Sequence, residues 1–86
     1  MIINIKEDRG VTKNLITLDL RTKQIRYLTD VTNQGDIMFL NISNDDVSAY
    51  EFLFKRDRRL FFKSLKEDLK GFLNIDIELK DLEVLK

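Results

Sequence analysis

Residues 2 to 43 alternate apolar and polar positions with a period of two. Ile3 and Ile5 lie to one side of Asn4 and Lys6, and Ile16, Leu18 and Leu20 lie opposite Thr17, Asp19 and Arg21. Ile25, Tyr27, Thr29 and Val31 alternate with Arg26, Leu28 and Asp30. Successive side chains of a strand point to opposite faces, so each run predicts a half-buried strand. From Ile37 to Ser43 both sides are apolar, with Met38, Leu40 and Ile42 on one and Ile37 and Phe39 on the other. That pattern predicts a central strand covered on both sides. The breaks are turn-length: Asp8-Arg9-Gly10, Arg21-Thr22-Lys23-Gln24 and Asn33-Gln34-Gly35-Asp36, where Gly35 can take a positive φ. Four strands joined by short turns make an antiparallel meander.

The period changes at Ser43-Asn44-Asp45-Asp46. A serine followed three residues later by an acid, with carboxylates crowding the positive end of the dipole, marks a helix start. A helix is predicted from about Asp45 to Lys70, with Val47, Tyr50, Phe54, Phe61, Leu65, Leu69 and Phe72 on the face that covers the sheet. Arg58 interrupts this face, and its stem can lie over the core edge. Gly71 is the expected stop. Tyr50, Phe52 and Phe54 also alternate with Glu51, Leu53 and Lys55, so a fifth strand over 48–55 is the competing assignment, and only 57–72 is helical in both. After Asn74, the alternation of Ile75, Ile77 and Leu79 with Asp76, Glu78 and Lys80 predicts a final strand, and the phase change at Leu82, Val84 and Leu85 implies a bulge, bend or frayed end. The expected architecture is α+β: a four-stranded antiparallel meander, one long helix packed on the sheet and a C-terminal strand.

At 86 residues the chain holds one domain, 1–86, and a core too small for a thick stability margin. There is no cysteine, histidine, tryptophan or proline. Their absence removes thiol nucleophiles, disulfides, imidazole bases and the usual zinc sites, so a partner subunit is the natural way to add buried surface. The start, Met1-Ile2-Ile3-Asn4-Ile5-Lys6, has neither the basic region nor the long apolar run of a signal peptide, and a cytoplasmic location without membrane contact is expected. One alanine against nine isoleucines, nine lysines and six asparagines suggests an AT-rich coding sequence, as in a low-GC bacterium or its phage.

Fifteen basic and fifteen acidic residues give zero formal charge, so attraction to nucleic acid must be local. Between Lys55 and Lys66 lie Lys55, Arg56, Arg58, Arg59, Lys63 and Lys66 against the single acid Asp57. In one long helix, Arg59, Lys63, Lys66 and Lys70 follow helical spacing as a basic stripe, able to track a phosphate backbone or an acidic protein surface, or simply to be a solvated face. Ala49, Phe52, Leu53 and Leu60 point away from the sheet-facing arc and need a cover. These four are the expected homodimer or partner interface, with Arg56, Arg59, Lys63, Lys66 and Lys70 as contacts to an acidic partner or nucleic acid. Arg26 and Tyr27 add a minimal stacking pair on a strand.

No catalytic constellation is present. Ser43, Ser48 and Ser64 lack a histidine, and Gly10, Gly35 and Gly71 are too scattered for a phosphate loop. Asp36, Asp45 and Asp46 match no calcium-loop spacing. The carboxylate pairs Asp76/Glu78 and Glu67/Asp68 look solvated. No cofactor or metal is expected. The sequence therefore predicts a non-enzymatic protein-interaction module working as a homodimer, with a dimeric nucleic-acid-binding protein as the alternative.

Overall fold

The structure, a computed structural model, describes residues 1–30 and 35–85. Strands β1 (Ile2–Asp8), β2 (Lys13–Asp19), β3 (Gln24–Leu28) and β4 (Ile37–Asn41) precede helices α1 (Asn44–Arg56) and α2 (Arg58–Leu73). A short 3-10 turn, Leu79–Asp81, leads into β5 (Leu82–Val84). The strands form one five-stranded sheet in the order β4-β3-β2-β1-β5, and every neighbouring pair is antiparallel. The α+β class and the meander therefore hold. Val31, Asn33 and Gln34, assigned above to a strand end and a turn, lie outside the described residues.

Register places Ile3 opposite Leu18, Ile5 opposite Ile16, Leu18 opposite Ile25 and Ile25 opposite Leu40. These residues share one face and are buried, together with Leu20, Tyr27, Ile42 and, from the helices, Tyr50, Phe61, Leu65 and Leu69. The turns are built by side chains that mimic backbone. Asp8 Oδ1 accepts from the Gly10 amide at 3.0 Å, and Gly10 itself adopts φ 82°. Asp19 Oδ1 accepts from the amides of Arg21 and Thr22 at 3.1 and 3.3 Å. Burial pushes the Asp19 carboxyl up, but these amides and the Arg21 charge outweigh it and hold the carboxyl below its ordinary value.

Ser43 caps α1 as expected, its Oγ accepting from the Asp46 amide at 3.1 Å, and residues 48–55 are helical, which removes the fifth-strand alternative. The single long helix is corrected to two. Asp57 leaves helical space (φ −151°, ψ 91°), ends α1 with its amide on the Leu53 carbonyl, and starts α2 with its carboxylate on the Leu60 amide at 3.2 Å. An aspartate both accepts at an N-cap and tolerates extended backbone, so one residue serves both ends. The bend folds α1 back on α2, packing Tyr50 and Phe54 edge-on against Phe61 at centroid distances of 5.8 and 5.1 Å.

Four further expectations change. Helix α2 runs through Gly71 to Leu73, and Asn74 in the left-handed conformation (φ 55°) ends it, its amide and that of Ile75 turning back to the carbonyls of Lys70 and Leu69. Phe72, placed on the core face by periodicity, is 72% exposed, and it is its neighbour Leu73 that packs against the core. Residues 75–78 are not a strand. Ile77 is fully buried as an anchor, and the phase change after Leu79 is the 3-10 turn that delivers Leu82–Val84 to the free side of β1. Finally, β4 is an edge strand covered on one side only, with Ile37 62% and Phe39 55% exposed.

Candidate interaction surface

Apolar and basic side chains meet where α1 hands over to α2. Lys55 and Arg56 sit in the last turn of α1, where cations complement the exposed carbonyl end of the helix. Arg58 lies over the Phe54 ring at 3.7 Å and its Nε donates to the Phe54 carbonyl at 2.6 Å, so its charge is held against α1. Along α2, Arg59 and Lys63 are exposed and Lys66 is half-buried. With Asp57, Leu60 and Leu79 they line an open depression of about 680 Å³. Among the described residues none of these three cations is in an ion pair. Lys70 leaves the stripe: its Nζ is 3.2 Å from the Asp76 carboxylate and 3.1 Å from Asn74 Oδ1.

The four apolar residues expected to form one patch fall in three surroundings. Ala49 and Leu53 line a cleft of about 160 Å³ between the helices, together with Asp46, Tyr50, Ser64, Glu67 and Asp68. Leu53 also packs against the core. Phe52, 62% exposed, stands with Ser48, Glu51, Lys55 and Arg56, and Leu60, 47% exposed, stands in the basic depression. The cleft is acidic. There Tyr50 donates its hydroxyl to Asp68, and its burial, that hydrogen bond and the nearby carboxylates push the phenol well above its ordinary value.

Arg26 and Tyr27 do not form a stacking pair. Adjacent positions on a strand face opposite ways, and Arg26 lies on the open sheet face, 3.8 Å from Asp19, while Tyr27 is 4% exposed on the helix-covered face. Beneath the helices the Tyr27 hydroxyl and Asn14 Nδ2 both donate to Glu7 Oε1, at 2.5 and 2.8 Å. Asn14 Oδ1 accepts from the Asp30 amide at 2.9 Å. This buried network was missed from the sequence, although Glu7 continues the inward series Ile3, Ile5, and Asn14 precedes Ile16 and Leu18 in the same phase. Polar residues at inward positions of two adjacent strands are the signal. Leu79, beside Leu60, belongs to the alternating run that predicts a final strand.

On the open face, Leu15, Thr17, Arg26, Leu28 and Ile37 line a shallow hollow. Comparison with known protein families, curated proteins and solved structures finds no match to this chain. No helix among the described residues is long and apolar enough to cross a membrane.

Proposed function

We propose that this chain is a small non-enzymatic protein-interaction module that recognises an acidic, partly apolar protein surface through the junction of its two helices. The observation that carries the reading is the setting of Leu60 and Leu79, both exposed, beside Arg59, Lys63 and Lys66, none of them neutralised among the described residues. Apolar area supplies affinity in proportion to what is removed from water, and unpaired cations at its rim steer an acidic partner and fix its register. Phe52 with Lys55 and Arg56 repeats the same combination across the helix junction.

The test is a titration of the isotopically labelled chain with an acidic amphipathic peptide and, separately, with a short single-stranded oligonucleotide. The peptide should move the amide resonances of residues 52 to 66, and Lys63→Glu with Lys66→Glu should abolish the effect while circular dichroism stays unchanged. The second reading, a nucleic-acid-binding protein, is favoured by the spacing of Arg59, Lys63 and Lys66 along one helix. It predicts instead that the oligonucleotide moves those resonances, with an affinity that falls steeply as salt rises. Tyr27 cannot contribute to it, being buried.

A further inference from the structure

The free edge of β4 has a different character from the helix surface. The amide of Ile42 donates to the Lys23 carbonyl at 2.9 Å and the amide of Thr29 to the Asp36 carbonyl at 2.9 Å. In an antiparallel ladder the residues that exchange hydrogen bonds alternate, so Asp36, Met38, Leu40 and Ile42 turn their backbone groups towards β3. Ile37, Phe39 and Asn41 therefore turn their N–H and C=O groups outward, away from the sheet. No backbone hydrogen bond to these outward groups occurs among the described residues.

Such an edge is ordinarily blunted by charge, proline, a bulge or shortness. The opposite edge follows that rule: β5 is three residues long and carries Glu83, 3.6 Å from Lys6. Strand β4 does not. Its sequence Ile-Met-Phe-Leu-Asn has no charge and no proline, its register with β3 is continuous, and Ile37 and Phe39 are largely exposed on the open face, Ile37 in line with Leu28 and Leu15 and Phe39 opposite Arg26.

We infer that β4 pairs with β4 of a second copy of this chain, antiparallel about a two-fold axis at Phe39, to give one continuous sheet. The occupant follows from self-complementarity. With Phe39 opposite the partner's Phe39, Ile37 falls opposite the partner's Asn41, and each outward N–H meets an outward C=O in an isologous contact that needs no other sequence. The two rings meet on the open face and extend its apolar strip, and a chain of zero net charge opposes the approach of its copy with no long-range field. The Ala49, Phe52, Leu53 and Leu60 group is not needed for this pairing.

Phe39→Pro and Phe39→Lys test the pairing. The Phe39 N–H serves no bond to β3, so proline there removes an outward donor while leaving the existing ladder, and edge strands accept it. Lysine keeps the donor but sets two ammonium groups opposite each other at the axis. By sedimentation equilibrium the unmodified chain should pass from monomer to dimer mass between low and high micromolar concentration, and both variants should stay monomeric with unchanged circular dichroism. In hydrogen exchange at high concentration, the amides of Ile37 and Asn41 should be protected in the unmodified chain and exchange at least tenfold faster in Phe39→Lys. An unmodified chain that stays monomeric with those amides unprotected overturns the inference, leaving the edge to water or a foreign strand. So does a dimer that survives Phe39→Lys but is lost in Phe52→Asp, which would put the second copy on the helices.

Discussion

The Tyr27 hydroxyl reaches across β2 to the fully buried Glu7 carboxylate, so the outer members of a three-strand layer are tied by one hydrogen bond beneath the helices. Asn14, on the strand between them, donates to the same Glu7 oxygen and accepts the Asp30 amide. Among the described residues the second oxygen, Oε2, has no hydrogen bond, and Arg9 Nη1 stands 3.8 Å from it. A carboxylate held this way is costly to bury and more costly to remove, because the buried Tyr27 hydroxyl then loses its acceptor, while Asn14 Nδ2 keeps a bond to the Tyr27 oxygen at 3.0 Å.

Glu7→Ala should therefore destabilise the fold by about 3 kcal/mol or more, and Tyr27→Phe by about 1–2 kcal/mol. Urea unfolding of both variants and of the double variant would give the pair's coupling. Strictly additive losses would show that the hydrogen bond contributes nothing of its own.

The chain has two tyrosines, and both phenols are held above their ordinary value: Tyr27 by burial and then Glu7, Tyr50 by burial and then Asp68. A raised folded-state value means that the fold favours the neutral phenol. The resulting stability is present below the unfolded-state value of about 10 and is lost as pH climbs through the higher folded values. Tyrosinate absorbance should therefore appear together with loss of the circular dichroism signal above pH about 10. A tyrosine that ionises at its ordinary pH while the fold persists would contradict the arrangement.

Asp57→Ala removes the acceptor for the Leu60 amide and the residue that keeps the two helices apart. A loss of about 1 kcal/mol is expected, with Asp57→Asn close to neutral, read from thermal or urea unfolding. Equal losses for both would mean that charge, not capping, is what matters at this position.

Phe61 and Phe72 share a face on the helical wheel yet lie at 0% and 72% exposure. Phe61→Ala should cost about 3–5 kcal/mol and Phe72→Ala less than about 0.5 kcal/mol. Comparable losses would place Phe72 against something other than water.

A Cβ added at Gly35 would stand 1.9 Å from the Thr29 carbonyl oxygen, far closer than non-bonded heavy atoms can approach. The obstacle is backbone, so Gly35→Ala should destabilise by roughly 1–3 kcal/mol, as overpacking does. Differential scanning calorimetry would detect it as a drop in melting temperature.

Period-two alternation made β1 to β4 legible, because each strand has one face against the helices and one against water. Ser43 made the start of α1 legible through its acceptor. Asp57 was not legible as a break, since the seven-residue step from Phe54 to Phe61 keeps the same phase across a bend as along a straight helix, and an aspartate interrupts neither reading. The Ile75, Ile77, Leu79 alternation misled because Ile77 is buried by docking irregular chain, not by pairing a strand. For the interaction surface, the basic cluster was visible as composition. Its division was not, because which of Arg58, Lys63 and Lys70 is engaged depends on Phe54 and Asp76, contacts that only folding creates.

The sheet order has a kinetic consequence. Three of its four seams are hairpins between consecutive strands, whereas the seam between β1 and β5 joins Lys6 to Glu83 across almost the whole chain. Closing so long a loop costs roughly 2 kcal/mol more configurational entropy than closing a hairpin. The last strand should therefore zip on after the meander and helices have assembled, and it should be the first part of the molecule to peel away when the native state breathes.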